Sequence, residues 1–130
     1  SSDVCSSDLC IMVTWEVDVE LIKIWFSRLD INSRAQVQAA IELLESEGPQ
    51  LGRPLVDSVN GSAHKNMKEL RPGSSGRSEL RILFVFDPDR KAIMLVAGDK
   101  SGTWSKWYRT SIRKADQLYT EHVEKRKQAQ

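Results

Sequence analysis

With 130 residues, of which 40% are hydrophobic, the chain has room for one globular core and not for two. No stretch approaches the roughly 20 apolar residues that span a bilayer, and the N-terminus lacks the basic-then-apolar order of a secretory signal, so the reading points to a cytoplasmic address. The formal net charge of +1 hides a division: residues 1–60 hold 4 Lys/Arg against 10 Asp/Glu, and residues 61–130 hold 15 against 8. A basic half suits a polyanionic partner, although a solvated charged face and a basic helix end produce part of the same excess.

Residues 1–10 repeat one pentapeptide, Ser-Ser-Asp-Val-Cys then Ser-Ser-Asp-Leu-Cys, and contain both cysteines. The spacing of Cys5 and Cys10 is not that of a zinc site, and the segment is too polar to fold alone, so it is expected to be a disordered tail. It also resembles a translated sequencing-adapter remnant. The domain is expected over residues 11–125, with 126–130 a basic tail. Ile11, Val13, Trp15 and Val17 alternate with Met12, Thr14, Glu16 and Asp18, as in a half-buried strand. Ile22, Trp25, Phe26 and Leu29 then take helical spacing, predicting a helix over about 19–29 with Asp18 as its N-cap. A second helix is expected after Ser33 and Gln36, which have capping-box spacing, with Val37, Ala40, Ile41 and Leu44 as its apolar stripe and Gly48-Pro49 as its stop.

The segment from Gln50 to Asn66 has Pro54 and the Asn60-Gly61 turn signal without periodicity, and reads as an ordered connection. "MKELR" is a short strand. "SELRILFVFD" is a stronger one, with Leu80, Ile82, Phe84 and Phe86 on one face and Arg81, Leu83 and Val85 on the other. "KAIMLVAGD" follows as the next strand of a meander, and a last helix from about Trp104 to Val123 turns Trp107, Ile112, Ala115, Leu118 and Tyr119 inward. The expected class is therefore α+β: a helical hairpin on one face of a small antiparallel sheet, plus a C-terminal helix, leaving the other sheet face open.

On that open face the pattern gathers Glu69, Arg71, Arg77, Arg81 and Lys100, with Tyr108 arriving from the last helix. Lys68 alternates away from Glu69. Glu69 and Arg71 also fit a plain cross-strand ion pair worth under about 1 kcal/mol. His64 reads as a surface residue. Of Trp104 and Trp107, which point in different directions, one is expected to pack and the other to be available for a base or a partner.

"ELR", a glycine-containing turn, "LRILFVF", "AIMLVAGDKSG" and a helix with an early tyrosine resemble the RelE/ParE superfamily of bacterial type II toxins, in its HigB-like, phage-related branch. The likeness runs from Met12 to about His122 and is best over Asn66 to Gly102. It implies a RelE-like fold and a metal-independent, cofactor-free endoribonuclease that cleaves mRNA on the ribosome by attack of a ribose 2′-OH on the adjacent phosphate. It implies Glu69 as base, Arg71, Arg81 and Lys100 as phosphate-stabilising cations, and Tyr108 for stacking or proton transfer. Lys68, Arg77 and Trp104 are expected to bind RNA. The implied partners are a helix-turn-helix antitoxin, the ribosome and mRNA, with no membrane. The loop between Arg71 and Arg81 is longer than in compact members, Lys100 stands where an arginine is frequent, and His122 lies too far along its helix to be the acid. ParE-type relatives, which bind DNA gyrase without cutting nucleic acid, and an inactive phage-derived RNA-binding regulator are the alternatives.

Overall fold

In a computed structural model, the described residues are 15–53, 55–59, 61–64, 66–72, 80–88, 90–99 and 104–129, without the side chains of residues 104 and 129. The chain runs β1 (Glu16–Asp18), a 3-10 turn (Glu20–Ile22), α1 (Lys23–Ser27), α2 (Ile31–Glu47), a 3-10 turn (Gly48–Gln50), β2 (Val56–Ser58), β3 (Met67–Leu70), β4 (Leu80–Asp87), β5 (Lys91–Asp99) and α3 (Trp104–Ala129). Residues 11–14 of the expected first strand lie outside the described residues.

The five strands form one sheet in the order β1-β5-β4-β3-β2. It is mixed rather than antiparallel, because β1 joins the edge of β5 in parallel while the other pairs are antiparallel. After the helices β2 runs opposite to β1, and the reversals at β3, β4 and β5 leave β5 parallel to β1. The region expected to be a connection contains β2, which pairs Asp57 with Glu69. Three residues are too few for alternation to register as a signal.

Both faces of the sheet are covered, against the expectation of one open face. Leu80, Ile82 and Phe84 pack with Val37, Ala40, Ile41 and Leu44 of α2 in one core, while Leu83, Val85, Ile93 and Leu95 pack beneath Ala115 of α3 in another. A strand buried on both sides reads as a continuous apolar run, which is what "ILFVF" is. No helix among the described residues is long and apolar enough to cross a membrane.

Local chemistry explains the element ends. α2 begins two residues before the expected cap: Asp30 Oδ2 accepts the Ser33 amide at 3.2 Å, and Ser33 is buried inside the helix instead of capping it. That bond, with the Ser33 hydroxyl contributing most, holds the Asp30 carboxyl below its ordinary range. The same helix stops at Gly48, whose φ of 59° lies in the left-handed region and whose missing side chain admits the Trp15 indole. Asp18 Oδ1 accepts the Glu20 amide at 3.0 Å, but the N-cap of the 3-10 turn that follows is Val19, and the turn leads into a shorter α1 than expected.

A bulge in β5 decides where α3 can sit. Leu83 pairs with Val96 but Phe84 pairs with Met94, so Leu95 is an extra residue. The inserted residue turns Gly98 toward α3, where a Cβ would stand 2.5 Å from Trp107 Nε1. The first turns of α3 thus lie directly on the strand backbone. α3 then continues past the expected end near Val123 to Ala129.

Candidate active site

Glu69 lies on the face of β3 covered by α3, and its carboxylate is only 3% exposed. A lone carboxylate so placed would lose several kcal/mol of hydration. Three neighbours compensate. Arg71 Nε donates to Glu69 Oε2 at 2.9 Å, Arg81 Nε stands 3.7 Å from Oε1, and the Tyr108 hydroxyl donates to Oε1. Arg71 also reaches sideways, its Nη2 donating to Asp57 Oδ2 at 3.1 Å, while Arg53 Nε lies 3.2 Å from Asp57 Oδ1. Arg81 Nη1 donates to the Leu80 carbonyl at 2.7 Å.

The elements bring these groups together for simple reasons. Alternation turns Glu69 and Arg81 to the same side of the sheet, and the chain just past β3 lets Arg71 fold back onto Glu69. Trp107 seated on Gly98 fixes α3 so that Tyr108, its neighbour, meets the carboxylate. Burial raises the Tyr108 phenol to about 12, helped by the hydrogen bond to and charge of Glu69 and opposed by Arg81. Burial works against the Arg71 guanidinium, but pairing with Glu69 and Asp57 outweighs it and raises its pKa. Asp57 is lowered, first by the Ser58 amide, then by Arg53 and Arg71, which overcome its partial burial.

A cavity of about 260 Å³ opens beside the cluster, lined by Asp57, Ser58, Glu69, Arg71, Tyr108 and Ile112 among others. Arg71, with 35% of its side chain exposed, looks into it, whereas Arg81, at 13%, stands behind Glu69. The cavity is a rim where β2, β3 and α3 meet, and not the open sheet face expected from the sequence. It presents the Arg71 guanidinium beside the Asp57 and Glu69 carboxylates, with the Tyr108 hydroxyl committed to Glu69.

Glu69, Arg71, Arg81 and Tyr108 are thus brought together. Lys68 is not: it points to the opposite face, its Nζ 3.4 Å from Ser58 Oγ, beside Arg53 and Phe86. Arg77 and Lys100 lie outside the described residues, and Trp104 begins α3 with its side chain outside them. Asp57 is the residue that sequence reasoning missed, because β2 was missed with it. His64 is less isolated than a surface residue, packing edge-on against Tyr119 at 4.7 Å with Nε2 3.1 Å from Thr120 Oγ1. His122 sits at the far end of β4, with Nε2 3.1 Å from Oδ2 of the buried Asp87.

Three likenesses to known proteins bear on this site. The family model of phage-derived protein Gp49-like (DUF891) matches residues 24–120, a span that includes every residue of the cluster. Two candidate toxins of Mycobacterium tuberculosis are similar to the chain. HigB2 is 60% identical over 115 residues, covering 88% of this chain and 57% of the relative. HigB3 is 55% identical over 93 residues, covering 72% of this chain and 79% of the relative. The chain therefore spans little more than half the length of HigB2.

Proposed function

We propose, from the premise that this chain belongs to the phage-derived Gp49-like family, that it is the toxin of a type II toxin-antitoxin system. In this reading it has a RelE-like fold and cleaves mRNA on the ribosome by attack of a ribose 2′-OH on the neighbouring phosphate. The observation that carries the reading is the convergence of two guanidinium groups and a phenol on one buried carboxylate at the mouth of a cavity. The names of the mycobacterial relatives support the toxin assignment.

The geometry supports the following roles. Both Glu69 oxygens are engaged, so the carboxylate acts through Tyr108: the phenol takes the 2′ proton while passing its own to Glu69 Oε1. The new O2′–P bond forms as the P–O5′ bond breaks, the leaving O5′ takes a proton from water, and the hydroxide so formed takes up the proton held by Glu69. Arg71 faces the phosphate oxygens and Arg81 adds charge from behind, a stabilisation that fixed donors supply without reorganising. Lys100 and Arg77 add cations from the loops and Trp104 a stacking surface, on the strength of the sequence alone. A helix-turn-helix antitoxin holds the toxin in check, and the system works in the cytoplasm.

The test is expression in a bacterial host with transcript mapping. Wild-type protein is expected to arrest growth with cut mRNA, and Arg81→Ala to lower cleavage by about 100- to 1,000-fold, the usual loss when one fixed charge-stabilising donor is removed. Arrest with intact transcripts and damaged DNA would overturn the nuclease reading in favour of gyrase binding.

A further inference from the structure

The cavity at Glu69 does not end at Tyr108. A second one of about 410 Å³ shares Tyr108 and Ile112 with it and continues along α3 past Arg109 and Arg113 to Asp116 and Gly61. The two cavities adjoin at Tyr108 and Ile112, which line both. Arg109 and Arg113 are exposed, and among the described residues neither has an ion-pair partner. Being four residues apart, they are neighbours on one side of the helix with a rise of about 6 Å between them, a step comparable with that between phosphates on an extended strand.

The far wall is built from polar contacts. Asp116 accepts from Ser62 Oγ and, at 2.9 Å, from the Ala63 amide, which ties the chain after Gly61 to α3. Gly61, with φ of 90°, makes that turn possible. Carboxylates and guanidiniums alternate in the lining: Arg71 is paired with Glu69 and Asp57 at one end, Asp116 is tied to the chain after Gly61 at the other, and the exposed Arg109 and Arg113 between them are left to meet anionic units.

We propose that this groove is a track for single-stranded RNA, with Arg109 and Arg113 holding two successive phosphates beside the linkage bound at Arg71. The identity of the strand rests on the nuclease reading above; the geometry of the track does not. Phosphate pairing of this kind positions a strand without reading its sequence, and each pair releases counterions on binding. Continuity with the phosphodiester site through Tyr108 favours a nucleic acid strand over an acidic protein segment.

The experiment titrates a fluorescein-labelled, single-stranded 2′-O-methyl oligonucleotide, which cannot be cleaved by 2′ attack, by anisotropy over a range of salt concentrations. Arg109→Ala with Arg113→Ala is expected to weaken binding and to flatten the slope of log K against log salt by roughly 1.4, about 0.7 for each single-strand phosphate that is no longer neutralised. The Arg109→Lys, Arg113→Lys pair is expected to keep the slope, which separates charge from folding. An unchanged slope in the alanine pair, or no binding by wild-type protein, would overturn the track. Escape of the alanine pair from antitoxin neutralisation, with oligonucleotide binding intact, would also overturn it by giving the face to a protein partner. Binding with the expected slope by a wild-type protein that leaves ordinary mRNA whole would uphold the track and remove the nuclease reading.

Discussion

Glu69 ties the burial of one residue to the chemistry proposed for it. Its burial is tolerable only because Arg71, Arg81 and Tyr108 approach it, and the same carboxylate holds those three groups in one place. The grouping is legible in the sequence, since alternation puts Glu69 and Arg81 on one face and Lys68 on the other. Asp57 is not legible, because its three-residue strand has no pattern of its own. The Tyr108 bond has a pH signature. A phenol raised to about 12 when folded, against 10.0 ordinarily, contributes stability that is complete below pH 10 and lost as pH rises through 12. Denaturant titrations from pH 9 to pH 12 are therefore expected to show wild-type protein losing more stability than Tyr108→Phe. Tyr119, also raised, chiefly by burial, is common to both proteins, so the difference reports Tyr108. Parallel profiles would mean that the phenol is not held by the carboxylate.

Among the elements, β4 and β5 carry the arrangement. The run "ILFVF" already announces a strand covered on both sides, yet alternation alone divides it into one buried and one open face. The helix needed for the second cover is itself predicted, with Trp107, Ile112, Ala115, Leu118 and Tyr119 turned inward, and those residues pack on or form the second core. The parallel pairing of β1 is beyond reach, because strand order depends on contacts across the chain and not on local period. The bulge at Leu95 escapes for the same reason, although it aims Gly98 at Trp107. Gly98→Ala should therefore push Trp107 off its seat, costing about 1–3 kcal/mol as overpacking does, with a lower midpoint in urea. It should also reduce RNA cleavage by moving Tyr108. An unaltered midpoint would show that α3 does not depend on this contact.

For the molecule as a whole, α3 is a bar fastened at both ends. Its start meets Glu69 through Tyr108, and its end meets a second buried carboxylate, Asp87, through His122 and Arg126, the latter's Nη1 being 3.0 Å from Asp87 Oδ1. The basic end of the sequence, expected as a solvated tail, thus includes a structural cation. The excess charge of residues 61–130 goes partly to these internal pairs and partly to the exposed arginines of the α3 groove. The central claim is that the Glu69 cluster grips one phosphodiester for attack by its own 2′-oxygen. The most direct test is mass spectrometry of the ends made when purified protein and ribosomes are mixed with a defined mRNA. Wild-type protein is expected to leave a 2′,3′-cyclic phosphate, or the 3′-phosphate derived from it, facing a 5′-hydroxyl, with cleavage about 100-fold or more slower for Arg71→Ala. Ends bearing a 3′-hydroxyl and a 5′-phosphate, or wild-type rates from Arg71→Ala, would contradict it.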